Sequence, residues 1–300
     1  MAGASQAQGF AGRRFTPHEL TLIREVVDSC GGLSRMELAH TICELIGWKR
    51  PQGSLKGREC REFLERLQTQ GVVTLPEKLA GRPAGSVTRV PRTERGEAGE
   101  ELVGPVSRFA PVVMQPVVEP DERLWFRELV GRYHYLGHRV PYGAHLRYLV
   151  FVSKPERQVV GCLQFSSAAW RLSVRDRWIG WSDQTRSHRL QRIVCNSRFL
   201  ILPWVHVKNL ASCVLAQAAK RLPKDWRARY SVEPLLIETL VDPRRYTGSC
   251  YKAANWVCLG STAGRGRMDR AKKRQGAEPK LVFVYPLARH AVQRLRDEDD

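Results

Sequence analysis

Three hundred residues exceed a single small domain and suit two. Lys and Arg number 49 against 30 Asp and Glu, a formal charge of +19; neutralising phosphates releases condensed counterions, so this excess predicts a polyanionic partner. The chain is 43% hydrophobic and can bury a core. No apolar run approaches the roughly 18 residues of a membrane span, and no N-terminal apolar segment marks a leader, so nucleic acid is preferred to a membrane surface and the cytoplasm is the expected location.

Residues 1–14 read as a disordered start. Thr16-Pro17-His18-Glu19 opens a helix, with Thr16 as N-cap, Pro17 first and Glu19 third. Leu20, Leu22, Ile23, Val26 and Val27 form its apolar face. Ser34 and Glu37 make a capping box for a second helix with Leu38, Ile42, Leu45 and Ile46 inside. A third helix around 55–70 buries Cys60, Phe63, Leu64 and Leu67, and Val72–Leu75 reads as a short strand. Three helices and a strand over 15–76 predict a helix-turn-helix or winged-helix head. Its third helix presents Lys56, Arg58, Arg61 and Arg66, residue types that reach phosphates and guanine edges. Glu59, Glu62 and Glu65 interleave, so a solvated bundle face is the alternative.

Residues 77–118, rich in Gly, Pro, Arg and Glu, have linker composition. Over 119–290 helical and strand patterns alternate, predicting a mixed α/β domain. Helices are expected at 122–133, 205–222 and 248–259, and strands at 146–152, 159–165, 190–195, 234–241 and 281–285. Residues 291–300 read as a charged tail. Eight cysteines without a CxxC pair read as reduced thiols rather than a zinc site or disulfide framework.

Several clusters in the second domain can carry chemistry. His134 and Tyr135 sit at a helix end, where a His is either a general base or a C-terminal cap, and a Tyr hydroxyl can act as an acid or nucleophile. Glu238 and Asp242, four apart near a strand's carboxyl end, suit divalent-metal binding or acid/base work, with salt-bridged structural acids as the alternative. Tyr251 and Asn255 lie one helical turn apart, followed by Trp256. Arg175 and Arg177, among Trp178 and Trp181, can stack on an unpaired base or line a backbone groove. Lys208 and the glycine-spaced Arg265 and Arg267 are further candidate phosphate contacts.

The runs YHYLG, RDRWIGW, NSRFLILPWVHVKNLAS and ETLVDPRRYTGSCYKAANWVCLGSTAGRGR resemble the Druantia anti-phage DruA family, whose domain also occurs in transposase-like proteins. The head segment is similar to the N-terminal module of those proteins. The transposase-like relatives continue into a DDE catalytic half; this chain ends at residue 300 without one, so the stand-alone defence form is expected. The order HY, KNLAS, strand-terminal Asp and YxAxNWxxxG is also similar to the Mom-like branch of the GNAT acetyltransferase fold, whose members modify adenine in DNA. That likeness implies a GNAT-like mixed α/β domain with Tyr135, Asp242, Tyr251, Asn255 and Trp256 at matching positions. The turn ILPWVHVKNLAS lacks the glycines that normally grip an acyl-CoA pyrophosphate. Two function classes follow: a DNA-binding defence subunit with a helicase partner, or a DNA-modifying or DNA-cleaving enzyme using an acyl-CoA-like cofactor or a divalent metal.

Overall fold

The computed structural model describes residues 8–29, 34–51, 54–77, 92–139, 141, 144–169, 171–262 and 278–297. The head contains β1 (Gln8–Phe10), β2 (Arg13–Phe15), α1 (Pro17–Ser29), α2 (Arg35–Leu45) and α3 (Gly57–Thr69). Both expected N-terminal boxes form. Glu19 N–H donates to the Thr16 hydroxyl (3.2 Å) and Thr16 N–H to the Glu19 carboxylate (3.0 Å). The Ser34–Glu37 pair repeats the arrangement at α2. The helices enclose Phe15, which stacks on Phe63 at 4.2 Å and meets Trp48 edge-on at 5.0 Å; each such pair contributes about 0.5–1.5 kcal/mol beyond its buried area.

Two head expectations are corrected. Residues 8–15 form an antiparallel hairpin rather than a disordered start, because Phe10 and Phe15 both anchor on Phe63. Val72–Leu75 forms no strand: Val72 N–H donates to the Leu67 carbonyl and Leu75 N–H to the Gln68 side chain, so this backbone is spent on closing α3. A wing after the third helix is therefore not formed among the described residues.

The second part continues with a 3₁₀ turn (Glu94–Gly96), β3 (Leu102–Pro105), α4 (Val106–Phe109), β4 (Val112–Pro116), α5 (Pro120–Tyr133), β5 (His145–Val152) and β6 (Gln158–Ser167). Then follow α6 (Ser173–Ile179), α7 (Asp183–Arg189), a 3₁₀ turn (Leu190–Arg192), β7 (Ile193–Ile201), β8 (Val205–Lys208), α8 (Leu210–Tyr230) and β9 (Leu236–Val241). The chain ends with α9 (Ser249–Ala253), β10 (Val257–Ser261), β11 (Leu281–Pro286) and α10 (Ala291–Arg296). This is the expected mixed α/β class.

The seven-stranded sheet has the order β10-β11-β9-β7-β6-β5-β4, antiparallel except between β7 and β9. Strand alternation sorts its residues by face. Tyr148 of β5 turns toward α8, its hydroxyl donating to Asp225 (2.9 Å). Phe151 turns the other way, toward Trp125 of α5. A smaller core of Ile179, Ile193, Leu236, Val284 and Leu295 packs α6 and α10 onto the sheet.

Residues 92–116 are structured rather than linker. β4 forms one sheet edge, β3 pairs with β8, and Thr93 gives both its N–H and its hydroxyl to Glu128 (2.7 Å each). Their partners lie far along the chain, so local composition carries no sign of them. Residues 205–208 are strand, and α8 starts only at Leu210. The helix expected over 248–259 stops at Ala253, and β10 follows it. The expected tail holds α10, with Leu295 fully buried.

Head and body meet where Glu37 faces His145 (3.2 Å) and where the His18 and His188 rings approach at 4.8 Å. Among the described residues no helix is long and apolar enough to cross a membrane, and the cysteines are free thiols.

Candidate functional site

β7 and β9 pair only from Ile193–Leu236 to Cys195–Glu238. Beyond that point β7 follows β6 as far as Ile201, past an irregularity at Gln164/Phe165, while β9 stays with β11 to Val241. A bulge bends its strand, and the two parallel strands part into a wedge. A cavity of about 440 Å³ fills it, lined among others by His134, Tyr135, Arg198, Asp242, Arg245 and Tyr246.

Side chains stitch the apex. The Thr239 hydroxyl donates to the Asn196 carbonyl (3.0 Å) and the Tyr251 hydroxyl to Asn196 Oδ1 (3.1 Å). Asn196 Nδ2 in turn donates to the carbonyls of Arg198 (3.1 Å) and Gln164 (3.3 Å). Tyr251 stacks on Phe283 at 5.5 Å, and burial pushes its phenol pKa up. Its proton is thus committed to holding the wedge.

One wall is the chain leaving α5. His134 is the C-cap residue of α5, its ring stacked on Tyr135 at 5.0 Å and its Nδ1 accepting from Leu136 N–H (3.2 Å). Burial, then Arg198, lowers its pKa to about 4, so the ring is neutral at neutral pH and Nε2 is left to carry the proton. The Tyr135 phenol is raised by burial first and then by Asp242.

The other wall is the turn Asp242-Pro243-Arg244-Arg245-Tyr246. Asp242 Oδ1 accepts from Arg244 N–H (3.1 Å), and its carbonyl from Arg245 N–H (3.1 Å) and Tyr246 N–H (3.0 Å). An Asp that bonds backbone two residues on, followed by Pro, is a turn former. This turn sets Arg245 over the Tyr135 ring at 5.1 Å and Tyr246 at 5.9 Å from it. Tyr246 is 54% exposed, an uncommitted aromatic at the cavity mouth.

Of the sequence candidates, the cavity gathers His134, Tyr135, Asp242 and Tyr251. Glu238 is not among them: both its carboxylate and Arg175 are fully buried and pair at 2.9 Å. Arg175 also bonds Asp176 (2.8 Å) and the Ala169 carbonyl (3.0 Å), so it is a core residue and not a DNA contact. Asp242 lies past the end of β9, where the turn rather than strand alternation sets its direction. Among the described residues no three His, Cys, Asp or Glu come together to hold a metal. Asn255 is exposed at a left-handed φ of 63° just past α9, while Trp256 packs edge-on to Tyr251 at 5.1 Å inside the core.

Arg177 and Lys208 are exposed, away from the cavity wall. On α3, Arg58 pairs with Glu62 (3.0 Å), Arg66 is exposed, and Arg61 and Lys56 are half-buried. Arg265 and Arg267 lie outside the described residues. The sequence reading missed Arg198, Arg245, Tyr246, Asn196 and Thr239; the Asp-Pro turn before Arg244-Arg245-Tyr246 was the local signal available.

The start of α8 does not suit an acyl-CoA-like cofactor. Asn209 stands there at a left-handed φ of 65°. The neighbouring residues all carry side chains where a pyrophosphate needs close backbone approach, so no step is assigned to that cofactor.

Burial likewise lowers His138 to about 4, with Arg147, Arg127 and Arg198 adding to the effect. Between pH 6.5 and 4 the unfolded chain therefore binds more protons at these two histidines than the folded one. Stability falls as pH drops from 7 to 5, above the carboxylate range. Urea midpoints at the two pH values check this, and H134Q/H138Q should flatten the difference; an unchanged difference in that variant refutes it.

The family model for Druantia protein DruA matches residues 89–277. A search of curated proteins finds no match. Among solved structures, spermidine N-acetyltransferase from Vibrio cholerae, in complex with CoA and spermine, is similar at 10% identity and a TM-score of 0.38, over 59% of this chain and 95% of that one. FeeM, an N-acyl amino acid synthase from uncultured soil microbes, is similar at 12% identity and a TM-score of 0.32, over 59% and 92%.

Proposed function

The chain belongs to the Druantia DruA family, and from that premise we propose that it serves anti-phage defence by engaging DNA, drawing an unpaired base into the cleft between β7 and β9. The observation that carries this reading is the exposed Tyr246 ring beside Tyr135, with Arg245 over the latter and Arg198 of β7 lining the same cavity. An aromatic face with adjacent guanidinium groups suits a stacked base and its phosphate, and the Asp242 carboxylate can accept from an exocyclic amino group. The charge of +19 supplies the long-range attraction. In this reading the head adds duplex contacts through Lys56, Arg58, Arg61 and Arg66. A helicase, which supplies unpaired strands, is the natural partner, and the cytoplasm with its reduced thiols is the setting.

A second reading makes the cleft catalytic, because His134, Tyr135 and Asp242 share it. One set of experiments separates the two. Fluorescence anisotropy on single- and double-stranded oligonucleotides should show tighter binding to the single strand. Tyr246→Ala should weaken that binding about five- to 150-fold, the range set by about 1–3 kcal/mol per stacked base. No binding by the unmodified protein, or full binding by the variant, overturns the proposal. Mass spectrometry of the same DNA tests catalysis: a mass change lost in Asp242→Asn supports it, and intact DNA beside tight binding removes it.

A further inference from the structure

A band of cations runs across the α5 side of the sheet and ends at the cleft. Arg123 and Arg127 lie one turn apart on α5. Arg147 on β5 and Arg198 on β7 are both register partners of Gln164 on the strand between them, and Arg147 Nε donates to Gln164 Oε1 (3.2 Å). Two strand spacings of about 4.8 Å put the two arginine backbones roughly 10 Å apart. Arg147 lies over the Phe126 ring at 5.8 Å, and His138 meets the same ring edge-on at 6.3 Å. Arg198 Nε donates to the Gly137 carbonyl (3.0 Å), tying the His138 segment to the cleft wall.

The band is electrostatically costly. Arg147 is lowered to about 10 by burial first and then by Arg127, with Arg123 also contributing; Glu37 of α2 is the opposing carboxylate and already faces His145. Arg147, Arg127, Arg198 and His145 all press on His138, whose Nε2 is buried with no hydrogen-bond partner among the described residues. Like charges gathered on a partly desolvated face oppose folding, and such arrangements are characteristic of sites that bind the opposite charge.

We propose that Arg123, Arg127, Arg147 and Arg198 form a track for the phosphodiester backbone of single-stranded DNA whose base enters the cleft. This rests on the cleft reading above and extends it to a surface outside the cavity. The Tyr246 ring supplies stacking, which carries little salt dependence, whereas the track supplies ion release, which does.

Binding of an oligothymidylate is measured across about 50–200 mM salt. Each phosphate of a single strand that a variant no longer neutralises makes the plot of log affinity against log salt shallower by about 0.7. R123A/R127A should therefore lower the slope by about 1.4, so that the fall in affinity over that fourfold range shrinks by about sevenfold. R123A alone, at an exposed position, should give about half the slope change and guards against misfolding. R227A, an exposed cation on α8 across the sheet, should leave the slope unchanged, and Tyr246→Ala should weaken binding without moving the slope. Unchanged slopes in both α5 variants, or an equal fall in R227A, overturn the track while leaving the cleft standing. Failure of the unmodified protein to bind removes both.

Discussion

Glu238→Ala should bring the protein close to unfolding. Its carboxylate and the Arg175 guanidinium are both fully buried and meet at 2.9 Å under the α6–α10 layer. Removing one partner of a buried pair leaves the other charge undercompensated and costs about 3–5 kcal/mol, a large part of a typical total of about 5–15 kcal/mol. At about 2–4 °C per kcal/mol for a domain of this size, the melting temperature should drop by roughly 6–20 °C. Arg175→Ala should cost at least as much: it leaves the Glu238 carboxylate with the Ala169 N–H (3.3 Å), whereas in Glu238→Ala the guanidinium keeps Asp176. The double variant E238L/R175M removes both charges and should recover most of the loss. A Glu238→Ala protein that melts with the parent would refute the structural role assigned to the acid.

What the sequence made legible was mainly local. The Thr16–Glu19 and Ser34–Glu37 boxes need only four neighbouring residues, and both formed. The central strands carried continuous apolar runs and fell where their patterns put them. What failed was set by partners far away. β3 is four residues containing Gly and Pro, and becomes a strand only because β8 lies beside it. Arg175 among tryptophans reads as a surface contact until the fold places Glu238 against it.

The site divides in the same way. His134, Tyr135, Asp242 and Tyr251 line one cavity. Their environments could not be read from types and spacing. The Tyr251 hydroxyl donates to the side chain of Asn196, 55 residues away. The guanidinium over Tyr135 comes from Arg245, which only the Asp242 turn directs there.

Gly248 links this geometry to stability, and Gly248→Ala carries the second large effect. Its φ is +72°, and a Cβ there would stand 2.4 Å from Phe283 Cζ and 2.6 Å from Cε2. The left-handed conformation costs a non-glycine residue about 1–2 kcal/mol, and overpacking a filled core about 1–3 kcal/mol more. Phe283 is fully buried and stacked on Tyr251, so the ring can yield only by moving the phenol that donates to Asn196 at the wedge apex. Gly47→Ala makes the control: its φ is +64°, with nothing within 4 Å of the added carbon. Gly47→Ala should therefore lose only the backbone cost, about 1–2 kcal/mol, and keep its DNA affinity. Gly248→Ala should lose about 2–5 kcal/mol and, at a temperature where both variants remain folded, bind oligonucleotide more weakly as well. Chemical denaturation with anisotropy on the same samples reads both quantities. Equal destabilisation in the two variants would mean that Phe283 gives way freely, and the apex would then not be the rigid support assigned to it.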